Sequence, residues 1–226
     1  GSAPADYASN KVAVAMSGGL DSSYAALLLR DAGFEVAGFT MRLDTGDQDD
    51  PDGLAAASDE NEREARAIAA TLGIPHMTVR LGETFRETVI DDFVREYLSG
   101  RTPNPCVLCN ARIKWTALTE SARSRGFDLI ATGHYARIAR YHDGTHALVK
   151  GVDSEKDQTY FLWRLSGDML AGTLFPLGWM TKEEVRTASN AAGLPSSERA
   201  ESQEICFIPG DDYGAFLETT HKNRSP

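Results

Sequence analysis

Val12-Ala13-Val14-Ala15-Met16-Ser17-Gly18-Gly19-Leu20-Asp21-Ser22-Ser23 is the stretch that decides the fold. Its first five residues form a short apolar run, the pattern of a strand buried on both faces of a parallel sheet. The glycine pair lets the backbone turn sharply, and Ser22 to Ala32 then reads as a helix that Gly33 ends. A strand that turns on glycines into a helix gathers backbone N–H groups and the positive end of the helix dipole at one point, and this attracts anions. Two glycines alone would make only a capped turn. The complete string in its strand–turn–helix context predicts a phosphate site, with serine hydroxyls as added donors.

Working outward, strand and helix signals keep alternating. Val36 to Leu43 predicts a second strand, and the acidic segment after it an exposed loop. Glu60 to Leu72 predicts a helix, His76 to Leu81 a third strand, and Phe85 to Leu98 a helix. A proline-rich loop precedes a predicted helix from Ala111 to Arg125, and Asp128 to Thr132 predicts a fourth strand. The fold class is therefore α/β, an open parallel sheet wrapped by helices. Beyond residue 135 the pattern changes to a β-hairpin, Ala136 to Tyr141 and His146 to Lys150, followed by short helices near Ser166 to Ala171 and Thr181 to Ala192. We expect residues 1–10 to be a tag and tail, 11–217 the catalytic domain, and 218–226 a frayed end.

The 226 residues carry a formal net charge of −10, which taken alone would argue against a nucleic-acid partner. Nine acidic residues against one arginine fall between Asp44 and Glu64, however, so the remaining chain is nearly neutral and leaves room for a basic face. No apolar run is long enough for a membrane span, and the N-terminus lacks a secretory pattern, so a cytoplasmic location is expected. In that reducing setting the three cysteines, Cys106, Cys109 and Cys206, point to metal or catalysis rather than a disulfide framework. Cys106 and Cys109 follow two prolines just ahead of a predicted helix, whose N-terminus would favour thiolates. Closed structural zinc is a poor fit, because it wants four ligands.

The string S-G-G-x-D-S resembles the PP-loop of the ATP pyrophosphatases, in which pyrophosphate is gripped while AMP passes to a substrate oxygen. Five further strings occur in the order of the tRNA 2-thiouridylase family: Asn104-Pro105-Cys106-Val107-Leu108-Cys109-Asn110, Ile113-Lys114, Ala131-Thr132-Gly133-His134-Tyr135, Lys156-Asp157-Gln158-Thr159-Tyr160-Phe161-Leu162 and Ile205-Cys206-Phe207-Ile208. The resemblance covers roughly residues 11 to 217. It implies an ATP-dependent sulfur transferase that adenylates a nucleobase carbonyl and replaces its oxygen with sulfur. ATP would be held by Ala15, Met16, Ser17, Gly18, Gly19, Leu20, Asp21 and Ser22, and framed by Met41 and Gly133, with Asp21 beside a magnesium ion and His134 near the nucleotide.

By the same resemblance Cys109 is the nucleophile and Cys206 carries the persulfide sulfur. Asn104, Pro105 and Cys106 border the target base, and Lys156, Asp157 and Gln158 the RNA. Sulfur would come from a cysteine desulfurase, a relay protein or sulfide. Two departures matter. Cys106 stands where some members have an aspartate, so Cys106, Cys109 and Cys206 are also candidates to hold a four-iron cluster with one open iron. The family usually continues into β-barrel domains that this sequence does not include: either it is a fragment, or it is a short relative that thiolates something smaller than tRNA, such as a free nucleobase or nucleotide. An amide-forming ATP pyrophosphatase is the remaining alternative; it would need no reactive cysteine.

Overall fold

The computed structural model describes residues 10–44, 54–195, 205–208, 210 and 212–222. Strand β1 (Lys11–Ala15) lies at the centre of a five-stranded parallel sheet. On one side it pairs with β2 (Glu35–Arg42), which pairs in turn with β3 (His76–Arg80). On the other it pairs with β4 (Leu129–Ala131), which pairs with the two-residue strand β7 (Thr173–Leu174). Between them in sequence, β5 (Ala136–Arg140) and β6 (His146–Lys150) form the expected antiparallel hairpin.

Helices cover both faces. Val12, Ala13 and Val14 are all fully buried, because side chains alternate between two cores: Ala13 joins one, Val12 and Val14 the other. Helix α1 (Leu20–Asp31) follows β1, and α2 (Leu54–Leu72) follows β2. The next two runs are composite. In α3, spanning 82–98, a π-helical turn Arg86–Ile90 separates Gly82–Phe85 from Asp91–Leu98. In α4, spanning 105–123, a longer π segment Asn110–Leu118 separates Pro105–Cys109 from Thr119–Arg123. The chain closes with α5 (Gly167–Ala171), α6 (Lys182–Ala191) and α7 (Tyr213–Lys222). Among the described residues no helix is long and apolar enough to cross a membrane.

Several elements differ from the sequence reading. Helix α2 starts at Leu54, inside the segment read as an acidic loop, because Leu54, Ser58, Ala65, Ile68 and Leu72 form one buried stripe. The rest of that loop, 45–53, lies outside the described residues. Helix α4 starts at Pro105, so the two cysteines lie within the helix rather than ahead of it. Asn104 is its cap, its side chain accepting from the Val107 N–H at 3.3 Å. Helix α7 runs on to Lys222, past the point where the sequence suggested a frayed end.

The strand order β3-β2-β1-β4-β7 reverses direction at β1, whose successors leave to opposite sides. The crevice above the carboxyl ends of β1 and β4 is where such sheets bind ligands.

Candidate functional site

A cavity of about 430 Å³ opens at that crevice. Met16 and Ser17 from the loop after β1, Thr40 and Met41 from β2, and His134 after β4 border one end. Gly19 caps α1 without any side-chain hydrogen bond, so the opening amides of the helix are left to a ligand. The loop is held from below: the Ser17 N–H donates to Ser22 Oγ at 3.3 Å, and the Ser22 and Ser23 hydroxyls donate to the Gly19 carbonyl at 3.1 and 2.7 Å. Gly18 has a φ of 75°, and a Cβ there would lie 2.7 Å from Glu64 Cβ of α2. Gly133 permits an equally close approach, since a Cβ on it would meet the Asp21 carbonyl carbon at 2.6 Å. The phosphate loop is thus pressed between α2 and the end of β4.

The other end of the cavity is lined by Pro105, Cys106, Cys109, Asn110 and Lys114 of α4 and by Ile205, Cys206 and Phe207. Cys106 and Cys109 share one face because they stand three residues apart on a helix. In and just after the π segment the Thr116 and Thr119 hydroxyls donate to carbonyls five residues back, at 2.9 and 3.0 Å. There Ile113, Trp115 and Leu118 enter the core while Asn110 and Lys114 reach the cavity. Trp115 anchors the helix by donating to Thr173 Oγ1 at 2.7 Å. The segment carrying Cys206 is fixed by its neighbours. Phe207 packs edge-on against Phe85 and Phe93, with centroids at 5.7 and 5.4 Å, and Ile208 is also buried. Cys206 therefore faces the cavity instead of joining the core.

The electrostatics correct the expectation of thiolates. Crowding by protein pushes the Cys109 thiol up to about 11, with the Lys114 charge pulling it down and Cys106 pushing it further up. Burial likewise pushes Cys206 up to about 12, with Cys109 and Cys106 adding to the rise. Cys206 is exposed by surface area, yet it sits against the cavity wall, and that surrounding protein is what penalises its charge. Cys106 is raised for the same reason. His134 is held well below its ordinary value, first by burial and then by Lys114, so it stays neutral near pH 7. Its Nδ1 lies 2.6 Å from Thr132 Oγ1.

Cys106, Cys109 and Cys206 share the cavity, and among the described residues no three His, Cys, Asp or Glu side chains are grouped to hold a single metal ion.

Asp21 differs from its expected role as well. Its carboxylate accepts two bonds from Lys182 Nζ, at 2.8 and 2.7 Å, and one from the Tyr135 hydroxyl at 2.9 Å. A carboxylate already neutralised by an ammonium ion is a poor magnesium ligand, so Asp21 does not fit that part as placed. Lys182 escaped the sequence reading. Thr181 and Glu184 around it form a capping box, which marks a helix start but does not say where the lysine reaches. Gln158 does reach the cavity, its Oε1 accepting from the Tyr135 N–H at 3.0 Å. Asp157 instead braces its own loop by accepting from the Gly151 N–H at 3.3 Å and the Thr159 hydroxyl at 2.7 Å. Neither Lys156, Asp157 nor Asn104 lines the cavity. Asn61 of α2 and Phe161 line it and were not foreseen.

Comparison with known proteins bears on the whole arrangement. A family model described as the tRNA methyl transferase HUP domain matches residues 10–210. A tRNA-specific 2-thiouridylase MnmA of Geotalea uraniireducens is 50% identical over 216 residues, covering 92% of this chain and 56% of that protein. Its counterpart in Geobacter metallireducens is 49% identical over 217 residues, covering 94% of this chain and 59% of that protein. The chain thus spans less than two thirds of the length of the curated relatives it matches. An NMN synthetase from Francisella tularensis superposes with a TM-score of 0.54 at 14% identity, covering 98% of this chain and 81% of that chain, a likeness of fold alone. With its motifs in order and the family model matched over residues 10–210, the chain belongs to the family described as the tRNA methyl transferase HUP domain, in which the motifs had already pointed to the tRNA 2-thiouridylases.

Proposed function

We propose that the chain is the catalytic domain of an ATP-dependent tRNA uridine sulfurtransferase. The observation that carries this reading is that one cavity is bordered at one end by Met16 and Ser17, where the phosphate loop begins, and at the other by three cysteines. Activation by a nucleotide and attack by sulfur then occur in one space. The family description speaks of methyl transfer and the relatives' names of thiolation; the thiols beside a phosphate loop favour thiolation. The smaller acceptor is not favoured, since the relatives are named for tRNA.

MgATP is the substrate. The loop from Ala15 to Ser22 and the opening amides of α1 hold its phosphates and stabilise the departing pyrophosphate, while Met41 and Gly133 frame the adenosine. Pro105, Cys106 and Gln158 border the uridine, whose carbonyl oxygen attacks the α phosphate. Cys206 takes persulfide sulfur from a desulfurase relay, whose own thiol is released. The terminal sulfur bonds to the activated carbon as the carbon–oxygen bond to AMP breaks. Cys109 then attacks the Cys206 sulfur, which frees the thiocarbonyl and leaves a Cys109–Cys206 disulfide, whereas sulfide as donor attacks the activated carbon directly. Because burial holds both thiols protonated, each needs to lose a proton before it reacts.

The test is to incubate the chain with MgATP, unmodified tRNA and a sulfur donor, and to digest the RNA for mass spectrometry. Thiouridine formed together with equal AMP and pyrophosphate is the expected result. Methylated uridine, or pyrophosphate release with no thiouridine, would reject the reading.

A further inference from the structure

Among the described residues lining the cavity, Lys114 is the one Lys or Arg, and no Asp or Glu lines it. Its ammonium group has no hydrogen bond or ion pair among the described residues, although the side chain is half-buried. It stands four residues after Asn110 and eight after Cys106, and all three line the same cavity wall. Its charge is felt at the thiols of Cys106, Cys109 and Cys206 and at the ring of His134. That places it where the sulfur end of the cavity meets the nucleotide end. A half-buried cation in a largely apolar space is costly until an anion joins it. His134, the other basic group lining the cavity, is kept neutral and cannot take that part.

On the sulfur-transfer reading above, the reaction releases an anion at this junction. We propose that Lys114 is a catalytic residue of the sulfur-transfer half-reaction, its ammonium group pairing with the AMP phosphate as that group departs. With hydrosulfide as donor the step balances without redox. A sulfur lone pair forms the carbon–sulfur bond at the activated carbon. The carbon–oxygen bond to AMP breaks, and the oxygen keeps the electron pair. The proton on sulfur passes to water, leaving the thiocarbonyl. Lys114 lowers the barrier by meeting the charge as it develops, and this stabilises the transition state more than the ground state.

The experiment compares Lys114→Met and Lys114→Arg with the unaltered chain, using MgATP, sodium sulfide and an RNA hairpin bearing an unmodified loop uridine, with enzyme in excess. Pyrophosphate release reports adenylation, and nucleoside analysis reports thiolation. Lys114→Met should slow thiolation about 100-fold and adenylation far less, so that adenylated RNA accumulates, while Lys114→Arg recovers most of the loss. Independently of turnover, Lys114→Met should weaken AMP binding about tenfold and leave adenosine binding unchanged. Equal losses in both half-reactions, or an unaltered preference for AMP over adenosine, would overturn the assignment of Lys114. Failure of the unaltered chain to thiolate, with its AMP preference still dependent on Lys114, would count against the sulfur-transfer reading and leave the anion site standing.

Discussion

At the scale of single residues, the site is governed by charges that burial does not tolerate. The thiol of Cys109 is pushed up to about 11, so iodoacetamide should alkylate it slowly at pH 7 and about tenfold faster for each further pH unit. A rate that levels off near pH 8 would contradict this. His134 and His76 are both lowered by burial, so below about pH 6.5 the unfolded chain takes up protons that the folded chain refuses. Their contribution to stability is complete above that pH and is lost as the pH falls. The urea midpoint should therefore drop between pH 7.5 and 5.5, and His134→Gln should flatten the drop; an unchanged slope would exclude His134 as its source. The Asp21–Lys182 pair makes a third prediction. With side-chain exposures of 30% and 11% it is only partly screened, and Lys182→Met should cost about 2 kcal/mol in urea unfolding. Adding Asp21→Asn should cost little more, because the two residues act as a unit. At this scale the sequence was informative where a motif singled out residues that the fold brings together: the three cysteines line one cavity with Met16, Ser17 and Met41. Lys182 was illegible, because the 161 residues separating it from Asp21 are bridged only by the fold.

Elements were legible where periodicity was strong. The buried run of β1, the amphipathic α2 and the hairpin β5–β6 all carry local signals that match their surroundings. Strand β7 left no such trace. Two residues, Thr173 and Leu174, make no pattern, and they become a strand only because β4 offers an open edge. The π segments were equally hidden, since Asn110–Leu118 has the composition of any helix and the extra residue per turn is imposed by packing. The start of α2 was obscured by acidic residues on its solvent face. One element is open to a direct test. The segment from Ile205 to Ile208 is held to the core chiefly by Phe207, which is 1% exposed and touches three aromatic rings. Phe207→Ala should lower stability by about 3 kcal/mol, by loss of transfer energy and a cavity beside Phe85 and Phe93. Labelling of Cys206 should accelerate more than that of Cys109, because only the first loses its anchor. Equal acceleration of both would mean that the whole cavity wall, and not this segment alone, had loosened.

For the molecule as a whole, charge limits how tightly RNA can be held. Of the basic residues on and beside the cysteine helix, Arg101 is already paired with Glu96 at 2.5 Å, which leaves Arg112 and Lys114, and of these Lys114 lines the cavity. With a net charge of −10 and so few phosphate contacts, tRNA binding by this chain should be weak. Raising salt from 50 to 200 mM should weaken it by no more than about 20-fold, the slope of two or three contacts. Fluorescence anisotropy with labelled tRNA would show this, and nanomolar affinity with a steep salt slope would refute it. The route of the chain through the cavity also bears on how the protein is made. The phosphate loop and the cysteine helix emerge from the ribosome together in the first 123 residues, whereas Cys206 follows Cys109 by 97 positions. At about 5–20 residues per second that is a lag of roughly 5–20 s, in which the sheet can form with its nucleotide end in place. The third thiol of the cavity wall is then delivered well after the other two. During synthesis the loop end of the cavity can be built before its wall of thiols is complete, so the three cysteines do not meet on a half-made fold.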